Sequence, residues 1–163
     1  MLDRFEERNF ETGSAGETRE LGVSLGRKAL PGEVYALEGD LGAGKTVLSQ
    51  GFAKGLDIHE VVNSPTFTIL QVYESGRIPL YHFDVYRIGD IEEMLEIGWE
   101  EYVWADGVCL IEWADIIEDL IDELPEEKVC RVEIRKDPGQ GANYRRISIS
   151  HGHQPDDSQT EDK

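Results

Sequence analysis

Apolar positions along this chain follow two rhythms, one helical and one of period two, and their alternation predicts an α/β fold. In "NFETGSAGETRELGVSLGRKALPGE", Leu21, Val23, Leu25 and Ala29 supply an apolar helix face. Ser14 is placed as its N-cap with Glu17 three residues on, a capping box, and Pro31-Gly32 stops it. "EVYALEG" (33–39) is a short apolar strand, and "KTVLSQGFAKGL" (45–56) returns to helical spacing until about Gly55. The β-rich stretches "TFTILQVYES" (66–75) and "RIPLYHFDVYRI" (77–88) flank Ser75-Gly76 and predict a hairpin. "DIEEMLEIG" (90–98) reads as a short helix capped by Asp90, with carboxylates in its first turn.

The unbroken apolar run "GVCLIEW" (107–113) suits a strand buried on both faces. "ADIIEDLIDEL" (114–124) is an amphipathic helix ending at Pro125. "VCRVEIRK" (129–136) and "YRRISIS" (144–150) alternate as two closing strands joined by "DPGQGAN". Parallel units beside a glycine-rich loop, with hairpins elsewhere, imply a mixed parallel and antiparallel sheet flanked by helices in one domain, residues 1–150. "HGHQPDDSQTEDK" (151–163) is polar and aperiodic and is expected to be a disordered tail.

The 163 residues suffice for one domain with a full core. No apolar run approaches the roughly 20 residues of a membrane span. "MLDRFEERNF" lacks the apolar stretch of a secretory signal, so a cytoplasmic protein is expected. Cys109 and Cys130 lie in apolar strand-like runs and read as buried free thiols, in keeping with a reducing compartment. Charge changes the picture most. Sixteen Lys and Arg against 34 Asp and Glu leave a formal charge of −18. Between Arg87 and Lys128 there are 15 carboxylates and no basic residue. Such a surface repels a phosphate backbone, so independent binding to nucleic acid is not expected. The acidic stretch reads either as a solvated face or as a dock for a basic partner.

The chemistry-bearing stretch is "GDLGAGKT", Gly39-Asp40-Leu41-Gly42-Ala43-Gly44-Lys45-Thr46, which satisfies GxxxxGK[ST] between a strand and a helix. Its glycines let backbone N–H groups turn inward around a phosphate, and the helix N-terminus adds its positive dipole end. Lys45 then reaches the β- and γ-phosphates, and the Thr46 hydroxyl takes one Mg²⁺ position. Glu112, closing the apolar run "VCLIE", is placed as the second magnesium carboxylate. Asp84 in "YHFDVYR" alternates with apolar neighbours on one strand face with His82 and Tyr86, where it could orient the attacking water or hold a magnesium-bound one. His82 alone reads more often as a satisfied or supporting core histidine than as a direct participant. Arg87 reads as pairing with the acidic surface or with a partner. "NSPTF" (63–67) is either a switch loop in which Ser64 or Thr66 senses the γ-phosphate, or a plain turn leading into the strand. Trp113 is either packing or a wall against the nucleotide.

Absences narrow the class. Kinases of small molecules need a basic lid, and residues 88–127 hold no Arg or Lys. A GTPase would show a base-reading NKxD motif, and the sequence has none. An ATPase switch is the leading reading, with a small P-loop kinase and a non-catalytic nucleotide-dependent binding module kept as alternatives. Low intrinsic turnover is expected, because no evident arginine finger lies in cis.

Taken in order, "GDLGAGKT", "NSPTF", "LYHFDVYR", "EEMLEIGWEEY" and "GVCLIEW" resemble the TsaE (YjeE) family over roughly residues 14–150. These are small bacterial ATPases needed to form threonylcarbamoyladenosine in tRNA. The resemblance implies ATP and Mg²⁺ as cofactors and the proteins TsaB and TsaD as partners, TsaD carrying the transferase site. Hydrolysis would reset or activate that complex, and tRNA would be met only through it. It further implies that Lys45 holds the phosphates, that Thr46 and Glu112 hold the metal, and that Asp84 is required for hydrolysis. Thr18, in the "ET" element, would lie near the nucleotide, and Arg145 or Arg146 would reach it from the last strand. The extreme acidity and the long tail are not family features.

Overall fold

The computed structural model describes residues 7–63 and 68–151. In chain order the elements are β1 (Glu7–Thr12), α1 (Ala15–Lys28), β2 (Val34–Gly39), α2 (Lys45–Gly55), β3 (Leu70–Tyr73), β4 (Leu80–Asp84), α3 (Ile91–Glu96), α4 (Trp99–Val103), β5 (Val108–Glu112), α5 (Glu118–Asp122), β6 (Val129–Lys136) and β7 (Arg145–His151). The strands form one seven-stranded sheet in the order β1-β7-β6-β2-β5-β4-β3. Strands β6, β2, β5 and β4 run parallel, and antiparallel pairs close both sides, β7 and β1 on one and β3 on the other.

Alternation along the central strands divides the core in two. Tyr35, Leu37, Val108 and Leu110 face the layer of α1 and α2, where Leu48 and Phe52 are fully buried. Val34, Ala36, Cys109 and Ile111 face the opposite layer with Phe83, Met94, Trp99, Ile117 and Ile121. Strand β5 is buried along its whole length, as its unbroken apolar run predicts.

Helix α1 starts where its cap places it. The Ser14 Oγ accepts the Glu17 N–H at 3.1 Å, but the Glu17 carboxylate accepts from Gly13 at 2.9 Å, one residue earlier than the expected box. Its packing on α2 is backbone against backbone. A Cβ at Gly26 would lie 2.1 Å from the Phe52 carbonyl oxygen, and one at Gly51 would lie 2.0 Å from that of Arg19. Only glycine permits that approach, and it sets α2, with the loop before it, on the sheet.

Four expectations are corrected. Residues 114–124 are not one helix but a 3-10 turn, Ala114–Ile117, followed by α5. Ala114 and Ile117, three residues apart, are the buried positions of the tighter turn, and Leu120 and Ile121 are those of α5. Strands β3 and β4 are shorter than the stretches predicted for them. Strand β1 was not anticipated, because "ERNFET" has almost no apolar pattern. It is held by backbone pairing to β7 from Glu7↔Ser150 to Thr12↔Arg145. Helix α4 was not anticipated either. Gly98 at φ 95° turns the chain into it, and Trp99 and Val103 bury one short face. Strand β7 includes His151, and the rest of the expected tail, residues 152–163, lies outside the described residues.

Candidate active site

Three neighbouring parallel strands end at one edge of the sheet. Strand β2 ends at Gly39, β5 at Glu112 and β4 at Asp84, with Asp84 and Glu112 paired in register. Burial of the strands brings these ends together, and β2 feeds through Asp40–Gly44 straight into α2. The loop turns on Gly42 (φ 77°) and Gly44 (φ 112°), a region that L side chains rarely adopt.

Lys45 is almost fully buried. Its Nζ donates to the carbonyls of Gly39 at 2.5 Å and Asp40 at 2.9 Å and lies 3.7 Å from the centre of the Trp113 ring. Burial pulls its pKa down, against the pull of Glu112, Asp115, Asp40 and Asp84 in the other direction. In the next turn position the Thr46 hydroxyl donates to Glu112 Oε1 at 3.2 Å. Glu112, 2% exposed, has its other oxygen 2.6 Å from Nε2 of the wholly buried His82. Asp84 accepts the Tyr86 N–H at 3.1 Å. Burial raises its pKa, as does Glu112, while the Tyr86 N–H, His82 and Lys45 oppose the rise. Trp113 holds a left-handed backbone (φ 64°) and packs at a tilt against Tyr86, with ring centres 4.6 Å apart. Such a conformation in a bulky residue is uncommon and directs the indole over the cradle.

These groups line a cavity of about 760 Å³, whose walls include Gly42, Gly44, Lys45, Thr46, Asp84, Glu112 and Trp113, with exposed Leu41 at the rim. A volume of that size admits a nucleotide. Gly39 and Asp40 face the neighbouring hollow and hold the lysine, and Ala43 is buried under the loop. Two further anticipated nucleotide contacts, Thr18 and Arg145, likewise lie outside the lining of the main cavity. Thr18 is buried, hydrogen-bonded to Thr12 at 2.7 Å, and its methyl group packs against Gly44, 3.8 Å from where a Cβ would stand. Arg145 donates to the carbonyls of Ala43 (2.7 Å) and Gly42 (3.2 Å), bracing the loop from behind. Arg146 is paired with Tyr144 instead. Ser64 and Thr66 lie outside the described residues.

His82 and Asp84 share a strand face as expected, but Tyr86 does not, because β4 ends at Asp84. The Tyr86 ring on Trp113 and the Arg87 side chain in the cavity wall were not identified as wall groups. Their neighbour Asp84 was the available signal. Among the described residues Arg87 makes no hydrogen bond or ion pair, unlike Arg131, which reaches Glu38, Glu118 and Asp122. The fit to magnesium rests on oxygen chemistry: Thr46 Oγ1 and Glu112 Oε1 are adjacent hard donors at the cavity wall. Among the described residues no cluster of three or more His, Cys, Asp or Glu forms a metal cage, so phosphate and water oxygens would complete the set. Nor is any described helix long and apolar enough to cross a membrane.

Comparison with known proteins identifies the family and the fold. A family model described as "Threonylcarbamoyl adenosine biosynthesis protein TsaE" matches residues 12–147. The chain is 48% identical over 120 residues to a tRNA threonylcarbamoyladenosine biosynthesis protein from Bacillus subtilis, covering 74% of this chain and 73% of that one. A protein of the same description from Treponema pallidum is 47% identical over 116 residues, covering 71% and 83%. The crystal structure of YdiB from Bacillus subtilis superposes with a TM-score of 0.74 at 38% identity, covering 90% of this chain and 86% of that one.

Proposed function

Because the chain belongs to the TsaE family, we propose that it is a slow Mg²⁺-dependent ATPase that serves the formation of threonylcarbamoyladenosine in tRNA. It acts with TsaB and TsaD, and hydrolysis resets or activates their complex between turnovers. The observation that carries this reading is the convergence of Lys45, Thr46, Asp84 and Glu112 on one nucleotide-sized cavity at the glycine-rich loop. The loop binds the triphosphate through inward N–H groups, and Lys45 leaves the Gly39 and Asp40 carbonyls for the β- and γ-phosphate oxygens. Magnesium, when bound, supplies charge neutralisation across those oxygens. Thr46 and Glu112 offer it their adjacent oxygens.

Asp84 orients the attacking water and draws on its proton; a raised pKa makes a carboxylate a better base near neutrality. The new bond joins water oxygen to the γ-phosphorus as the bond to the bridging oxygen breaks, releasing ADP and inorganic phosphate. Trp113 and Tyr86 form one wall of the site. The charge of −18 supports contact with tRNA through protein partners, so the isolated chain should show negligible tRNA affinity at physiological salt.

The test is released phosphate from the purified chain, alone and with TsaB and TsaD, beside Lys45→Ala and Asp84→Ala. Release that rises with the partners and vanishes in both variants supports the proposal. Phosphate transferred to an acceptor would instead identify a kinase.

A further inference from the structure

We propose that His82 is a positioning residue for Glu112: its Nε2–H holds one carboxylate oxygen, so that the other is presented to Thr46 and to the divalent cation of a bound nucleotide. The proposal rests on the Mg²⁺-ATPase reading.

The geometry is that of a relay across two strands. His82 sits opposite Leu110 in the β4–β5 register, two residues before the Asp84↔Glu112 pair. From there its ring reaches forward to Glu112 Oε2 at 2.6 Å, while Oε1 lies 3.2 Å from the Thr46 hydroxyl. The two oxygens therefore have different occupations, one inside the sheet and one toward the cavity. A free carboxylate could rotate and exchange them. A buried hydrogen bond to an ionised acceptor is short and directional, and it opposes that rotation.

The burial is informative as well. His82 is wholly inaccessible, and among the described residues its Nδ1 is buried without a hydrogen-bond partner. An unsatisfied buried nitrogen is unfavourable. An apolar residue at this position would carry no such cost, and Leu80, on the same strand face, is apolar and equally buried. The histidine is thus explained by what its other nitrogen does. Partners that orient a metal-binding side chain commonly affect metal affinity about 10- to 100-fold when removed.

Two amide variants of the full chain separate positioning from packing. In His82→Gln the amide nitrogen extends to the place of Nε2; in His82→Asn it falls short. Mn²⁺ is titrated in place of Mg²⁺ with a non-hydrolysable ATP analogue, free Mn²⁺ is read by electron paramagnetic resonance, and melting curves are recorded for each protein. His82→Asn is expected to weaken nucleotide-dependent Mn²⁺ binding about 10-fold or more, with analogue affinity in EDTA unchanged. His82→Gln is expected to recover most of the loss. A folded His82→Asn with wild-type Mn²⁺ affinity overturns the proposal, as does a folded His82→Gln that is impaired as much as the Asn variant. If the wild-type chain itself retains no Mn²⁺ with the analogue, the magnesium reading fails first, and this inference falls with it.

Discussion

The two ends of the same parallel strands are built on opposite terms. At the amino ends, charged groups are satisfied by the fold. Arg77 donates to the carbonyls of Gly26 (2.6 Å), Arg27 (3.0 Å) and Ala29 (2.7 Å), closing the end of α1. Lys128 donates to the Gly32 carbonyl and lies 4.6 Å over the Trp104 ring. Glu33 accepts from the Leu30 N–H at 2.6 Å and the Tyr35 hydroxyl at 3.2 Å. At the carboxyl ends, by contrast, two carboxylates stand side by side, a lysine is desolvated, and Trp113 takes a left-handed backbone. One end ties its charges into the fold, and the other gathers them around the cavity.

Two acids register this difference in opposite directions. Burial acts to raise the pKa of Glu33, but bonding to His151 and the Leu30 N–H outweighs it, and the net shift is downward. Its contribution to stability is therefore present above the ordinary carboxylate range and is lost as pH falls through its lowered pKa. Burial raises the pKa of Asp84, and the net shift is upward. Its contribution is present only in acid, below the ordinary value, and is lost as pH rises through the raised pKa, so at neutral pH its charge opposes folding.

The sharpest way to break the comparison is Asp84→Asn. Phosphate release should fall by at least about 100-fold, while the melting temperature at pH 7 holds or rises; a variant that loses both would remove the contrast. At the other end, Arg77→Met should cost about 1–3 kcal/mol in urea unfolding through three lost carbonyl bonds. Its turnover per folded molecule should stay at the wild-type level. Glu33→Gln should be milder, destabilising by about 1 kcal/mol at pH 7, and melting curves should converge on those of the wild type as pH falls toward 3. The smallest effect is expected from the thiols. Burial pushes both Cys109 and Cys130 up to about 12, so neither should react with a disulfide reagent at pH 8 until the chain is unfolded. Rapid labelling of the native protein would show that the amino end opens.

The legible parts of the molecule were those whose pattern is local. Ser14 and Asp90 cap their helices as the sequence requires, and "VCLIE" is buried on both faces. The glycine-rich loop lies between strand and helix where its motif demands. Strand β1 escaped because its stability comes from backbone pairing to β7, a partner more than 130 residues away, and only Phe10 adds apolar packing. The split of residues 114–124 escaped because intervals of three and of four both read as helix until the sheet fixes which face is covered.

By itself, then, the sequence determined the glycine-rich loop between strand and helix, the candidate side chains Lys45, Thr46, Asp84 and Glu112, and the alternation of strands and helices, since each depends on residue type and near spacing. Tertiary structure alone decided that His82 grips Glu112, that Trp113 covers Lys45, and that Thr18 and Arg145 brace the loop without lining its cavity. Those outcomes depend on which strands lie adjacent and where each one ends. Pairing between strands is set by the closing of the whole core, not by any short stretch of the chain.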